Sequence, residues 1–483
     1  SADVAAAATS TSVCVGGNSQ VAVNGVTIGE SAAPLVTGTD NTVVGQGAAA
    51  TLTTGTNNVL LGSAVDCVAA TANSIVIGYS ANTGVTGASS TLVIGSNAGN
   101  AGSTGNYCTI IGNGAGAAAM TGSHNTAVGY QALSTNSTGA ENTAVGRSAL
   151  TSNSTASYNT AVGKDSLYTN STGARNTAVG HRALFTNSTA SYNTAVGRES
   201  LYTNSTGARN TAVGYYSLGA NSTASYNTAV GYYSLGTNST GASNTAVGYQ
   251  ALFTNSTGAA NTAVGRDSLF TNSTGAYNTA VGRSALTSNS TASYNTAVGY
   301  QALTTNSTGA NNTAVGYQAG DAIDTGSSNT IVGYDADVAA AATANSVCVG
   351  ANSQSANNGV TIGAYAAGSV IGDNNTVVGH DAAASLASGY RNSIYGQDCG
   401  DTLVDGHDNV IIGTDADTAS GTNYSVCVGA NSQVAVNGVT VGESAAPLVT
   451  GTDNTVVGQG AAATLTTGTN NVLLGSAVDC VAA

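Results

Sequence analysis

Residues able to do acid–base or metal chemistry are few and scattered along these 483 residues. The four histidines, His124, His181, His380 and His407, lie far apart, and no Ser-His-Asp spacing accompanies them. The pairs Asp335/Asp337 and Asp415/Asp417 form D-A-D fragments, far short of an EF-hand loop. They read as solvated turn carboxylates, with a weak calcium contact as the alternative. Three of the seven cysteines, Cys14, Cys348 and Cys427, share one slot in the phrase S-V-C-V-G, and Cys67 and Cys480 share another. Repeated slots fit small buried hydrophobes in strands, or cross-links between coils or chains. No zinc-type spacing is present. The sequence supports no enzyme, cofactor or metal centre.

Asparagine is the residue with a pattern. One column comprises Asn125, Asn142, Asn159, Asn176, Asn193, Asn210, Asn227, Asn244, Asn261, Asn278, Asn295, Asn312 and Asn329, each opening N-T-[AI]-V-G. Stacked side-chain amides can bond along an axis and pin the register, as an Asn ladder. A second column opens N-S-T at Asn136, Asn153, Asn170, Asn187, Asn204, Asn221, Asn238, Asn255, Asn272, Asn289 and Asn306. Each is formally an N-glycosylation acceptor, and Asn311, Asn374 and Asn423 are further ones. The same phrase is also a turn whose side chains bond the backbone. One glycan about every 4.8 Å along a stripe would be too dense for full occupancy.

The element that positions these columns must repeat with them. The spacing is 17 residues throughout the array 125–333. A strict short period means one structural rung per repeat. The glycine that follows each aliphatic run extends the register to both ends, from Gly16 to Gly475, with flank spacings of 13, 16 or 17. The expectation is one continuous solenoid over 1–483 of about 29 coils, with 1–124 and 334–483 as variable-length coils of the same stack. Seventeen residues fit two short strands and two turns, not an ordinary helix. The fold class is therefore all-β: a parallel, two-sheet β-roll. At about 4.8 Å per coil its length is on the order of 140 Å.

Side chains alternate along a strand. Placing the aliphatic residue before the glycine inside puts Thr126 and Val128 in the core and Ala127 outside. Leu133 then begins a second strand and closes the core against Val128. An ice-binding face needs a flat outward Thr strand, which this inward Thr126 denies. The residues before each Asn alternate, with Tyr158, Tyr192 and Tyr226 interleaving Arg175 and Arg209. One rung apart, they are within reach of cation–π contact, or form an ordinary solvated face.

Composition narrows the class further. Charged residues are 7%, Pro is 2 residues and Trp is absent, unlike a disordered chain. The net charge of −14 argues against nucleic acid as a partner. No apolar run is long enough to span a bilayer. Residues 432–483 repeat 19–70 with one change, Ile28 against Val441, and 336–343 repeat 2–9. These identities lead us to expect a segment of a longer periodic protein.

The phrase N-T-A-V-G followed by a small residue and Leu resembles the head repeats of trimeric autotransporter adhesins. The longer phrase N-T-A-V-G-Y-Q-A-L resembles repeats of bacterial surface fibre proteins and of tail-fibre-like proteins of phages and large viruses. The resemblance is strong over 125–333 and loose in the flanks. It implies a left-handed β-roll. It also implies that the outward small residue, Ala127 and its successors, faces a neighbouring chain, hence a homotrimer; an end-to-end single-chain filament is the rival. The resulting expectation is a structural fibre, extracellular or on a cell or virion surface, giving length, stiffness and protease resistance. The alternative is an adhesin head that binds a surface or glycan through the Tyr/Arg/Asn stripe.

Overall fold

The computed structural model describes the chain except residues 1–2, 5–10, 68–69, 83–88, 100–103, 369 and 480–483. The chain is a parallel β-solenoid with no helix among the described residues. It divides into two compact units, Ser1–Asn244 and Thr245–Ala483. In the first, a ladder of three-residue parallel strands runs from Val13–Val15 to Thr228–Val230. In the second, the same ladder runs from Thr245–Val247 to Val472–Leu474. Through the array each strand pairs with its own copy 17 residues on, as Thr126 with Thr143 and Ala127 with Ala144. The short coils pair at 13, as Val13 with Val26 and Val347 with Val360.

Each strand ends at a glycine for two separate reasons. Gly129 has φ +137°, a region that an L side chain rarely adopts. A Cβ placed there would also lie 2.4 Å from the carbonyl oxygen of Gly146, its copy one rung on. The chain then turns through Gln131 and Leu133, both left-handed at φ +53°. The two peptide groups bond to opposite neighbours: Gln131 N–H donates to Asn113 O at 3.0 Å, and Leu133 N–H to Ala149 O at 2.9 Å. Rung-to-rung bonding therefore continues through the turn and holds conformations that cost about 1–2 kcal/mol for a lone residue.

This differs from the expected roll in two ways. The segment beginning at Leu133 is a stack of turns, not a strand. Second strands occur elsewhere, as two-stranded pairs such as Asp337–Val338 with Gln354–Ser355 and Asp417–Thr418 with Gln433–Val434. The strand also faces the other way. Ala127 is fully buried, while Thr126 and Val128 are half-exposed. The same inversion holds in every coil of the array; Val196, Val281 and Val315 are among the exposed apolar residues.

The reason is width. Strand wall and turn wall lie so close that the middle residue of the strand and the Leu four after the glycine fill the space between them. Their sizes trade: Ala127 is paired with Leu133 in the array, but Ile110 with Gly116, and Ile394 with Gly400. A Cβ on Gly116 would approach Ile110 to 3.1 Å, and one on Gly400 would approach Ile394 to 3.2 Å. A core this thin selects volume before hydrophobicity. The Ala column is therefore the core and not an outward face that meets a second chain.

The cysteines follow the strand. Cys348 and Cys427 are buried middle residues of strands, Cys399 is buried in a turn and Cys67 in an irregular segment, and all four are free thiols. Burial pushes the Cys348 thiol up to about 11 and those of Cys67, Cys399 and Cys427 to about 12. Cys480 lies outside the described residues.

Candidate functional surface

The thirteen-residue Asn column is buried and forms a ladder. Asn142 N–H donates to Asn125 Oδ1 at 2.9 Å, and Asn142 Nδ2 donates to Ala156 O at 2.9 Å. The unit repeats at Asn176, Asn193 and Asn210 with nearly the same lengths. Each amide thus satisfies a backbone donor of its own strand row and a backbone acceptor in the next turn. Asn159 Nδ2 and Asn227 Nδ2 are exceptions with no acceptor, and nothing in the structure explains them.

The N-S-T segment is the turn expected from the sequence, its Asn bonding the backbone carbonyl three residues on, and the column also forms a second ladder. Asn136 through Asn306 are likewise fully buried. Asn153 Nδ2 donates to Asn136 Oδ1 at 2.8 Å and to Ala156 O at 3.0 Å. The next rungs repeat this from Asn170 and Asn187. Nδ2 is the atom that would carry a glycan, and in the folded chain it is bonded inside the core at these sites. Asn311 and Asn374, by contrast, are exposed. Material from a glycosylating host is expected to show no glycan at the eleven buried sites. Intact mass and peptide mapping before and after glycosidase treatment check this; a glycan on Asn170 would refute the packing.

The Tyr/Arg column is a cation–π ladder, not an ordinary solvated face. Arg175 lies 5.2 Å from the ring centre of Tyr158 and 5.5 Å from that of Tyr192. Arg209 lies 5.7 Å from Tyr192 and 5.4 Å from Tyr226. Each guanidinium also donates to a tyrosine hydroxyl, Arg175 to Tyr192 at 2.7 Å and Arg209 to Tyr226 at 2.6 Å. These rings remain about half exposed. Further along, Tyr277 and Tyr294 stack at 5.1 Å.

A second column, just after the marker glycine, was missed from the sequence. It carries Arg147, Lys164, His181 and Arg198 on four successive rungs. The signal was available as charge segregation. Residues 142–244 hold six Lys/Arg against two Asp/Glu, whereas residues 1–141 hold none against five. Asp165 and Glu199 partly offset this column, at 3.9 Å from Lys164 and 3.4 Å from Arg198.

The carboxylates of the D-A-D fragments divide. Asp335 and Asp415 are exposed, as solvated turn residues should be. Asp337 and Asp417 are not. Each turns back to bond a backbone N–H one coil earlier, Asp337 to Ala322 at 3.0 Å and Asp417 to Thr402 at 3.2 Å. Asp66 and Asp479 do the same to Thr51 and Thr464. Burial, and then a hydrogen bond with Asp321, push the Asp337 carboxyl up to about 8. A folded-state value above the unfolded 3.8 means that the folded chain binds the extra proton. This contribution is full below about pH 4 and is lost as pH rises towards about 8. The urea midpoint of the transition containing residues 320–340 is expected to fall across that window. Asp337→Asn should flatten the fall, and an unchanged slope in that variant would refute the assignment.

His380, Asp381 and Asp398 converge closely enough to hold a cation, but His380 is exposed and pairs with Asp381 at 2.7 Å. Among the described residues no helix is long and apolar enough to cross a membrane. No protein-family model and no curated protein matches this chain.

Proposed function

We propose that this chain is a structural length of a fibre on the outside of a cell or virion, supplying reach, stiffness and resistance to proteases. The observation that carries the reading is the rung. Strand, turn and two buried amide columns all bond along one axis, so each coil is held by its neighbours on every wall. Such a stack resists bending and presents little free backbone to a protease. Its likeness to the repeats of surface fibres and tail fibres points the same way. Self-association belongs to this reading, end to end or as a trimer. With Ala inside, lateral contact would use the Thr126/Val128 face.

Negative-stain microscopy together with native mass tests it. Rods of uniform width that join into longer filaments are expected; compact globular particles would overturn the proposal.

A second reading, adhesion through the exposed stripe, is favoured by the Arg175/Arg209 ladder, because alternate residues there are fixed, exposed cations. An ice-facing role is not favoured although Thr is outward. The Thr column is a single file beside Val, and Tyr/Arg columns border it in sequence on both sides.

A further inference from the structure

We infer that residues 147–226 form a binding strip for an acidic polysaccharide, one bearing carboxylates or sulfates at regular intervals. This rests on the adhesion reading and names its ligand class.

Three observations carry it. The first is segregation: every Lys and Arg of the first unit falls between 147 and 209, in a chain of net charge −14. A basic strip on an otherwise acidic object concentrates a polyanion there and repels it elsewhere. The second is exposure. Arg147, Lys164, Arg175, Arg198 and Arg209 are all solvent-facing, with the side chains of Lys164 and Arg198 49% and 60% open.

The third is preorganisation. Arg175 is held between two tyrosine rings and by one hydroxyl, and Arg209 likewise. Only one of five guanidinium donors is used by that hydroxyl, which leaves others for an oxyanion. An arginine already fixed loses less side-chain entropy on binding.

The interval chooses among polyanions. Arg175 and Arg209 are two rungs apart, about 9.6 Å at the parallel-strand spacing. A glycan whose acid recurs on every second sugar offers charge at a comparable interval. One strand of duplex DNA offers a phosphate about every 3.4 Å of its axis, and a single strand gains from aromatic platforms. Here the faces of Tyr192 are occupied by Arg175 and Arg209.

Binding of the full chain to hyaluronan, heparin, neutral dextran and polythymidylate oligomers of matched length, by calorimetry at two salt concentrations, tests the inference. Hyaluronan or heparin should bind, more weakly at high salt, and dextran should not. Arg175→Gln with Arg209→Gln should weaken binding about tenfold or more. Arg391→Gln, whose parent is already paired with Asp408 at 2.7 Å, should leave it unchanged. Hydrogen exchange of the double variant confirms that the coils remain folded. Equal binding of dextran would overturn the acidic class but keep adhesion. Preference for polythymidylate would overturn the polysaccharide. No binding to any oligomer would overturn both the strip and adhesion, leaving the fibre to the microscopy. Unchanged affinity in the double variant would overturn the strip.

Discussion

Gly197→Ala is expected to be among the most damaging single-methyl changes possible in the first unit. Two costs combine there. The backbone sits at φ +133°, where any Cβ is strained. The added methyl would also stand 2.5 Å from the carbonyl oxygen of Gly214 and 2.7 Å from its carbon. Those atoms belong to the neighbouring rung and cannot step aside, because Gly214 N–H is itself bonded to Val196 O at 2.8 Å. Strain and clash together should cost about 3–5 kcal/mol. In a stack of nearest-neighbour contacts the damage should be centred on the rungs either side. Hydrogen exchange should therefore show lost protection near residues 194–214, with a lower urea midpoint for the unit. Gly17→Ala is the control, since its Cβ would meet nothing within 4 Å. A Gly197→Ala protein with wild-type protection would show that the rungs are not packed this closely.

The glycine register shows what a repeat discloses and what it withholds. Period, strand position and glycine corner were legible, because a 17-residue recurrence has few structural solutions. The first Asn column was legible too, since a polar residue fixed at a strand start needs a partner above and below. The facing of the strand was not. T-A-V offers one strongly apolar residue, and the ordinary rule puts it inside. The rule fails because Ala127 and Leu133 together fill the interior and leave no width for Val. The flanks held the correcting signal. Ile takes the Ala position where the Leu position is not Leu, as Ile110 against Gly116, Ile394 against Gly400, Ile331 against Asp337 and Ile411 against Asp417. That exchange of volume marks a facing pair and identifies the buried side.

The surface was less legible than the core for a related reason. N-S-T carries a strong local meaning as a glycan acceptor and as a turn; the turn is there, and the same Asn has a further use that a local reading does not show. Eleven successive rungs bury Asn136 or a successor, so the second ladder is visible only when the turn is seen to close against the strand. The Arg147–Arg198 column was hidden by its mixed composition, with His and Lys between arginines. Motif reading looks for identity, whereas electrostatics sums charge across different residues.

Asn193→Ala tests whether the buried amides hold the stack or merely occupy it. The change removes the acceptor of Asn210 N–H at 2.9 Å and the donor to Gly207 O at 2.9 Å. Gly207 O keeps a second donor, Asn204 Nδ2 at 2.9 Å, so it is not orphaned. Asn210 N–H has no such substitute and is left buried. An unsatisfied buried donor costs about 1–3 kcal/mol and each lost bond about 1, so a loss of about 2–4 kcal/mol is expected. Asn193→Asp separates the two roles. It keeps an acceptor for Asn210, can donate to Gly207 only while protonated, and buries a carboxyl whose ionisation is disfavoured. Its deficit should therefore grow as pH rises, whereas that of Asn193→Ala should not. A ladder also predicts coupling. In the second column Asn187→Ala and Asn204→Ala should be non-additive, because both break the same bond, from Asn204 Nδ2 to Asn187 Oδ1 at 2.9 Å. Asn193→Ala with Asn125→Ala, four rungs apart, should add. Additive costs in the adjacent pair would mean that each amide serves only its own coil, and the register would then rest on the backbone and the glycines alone.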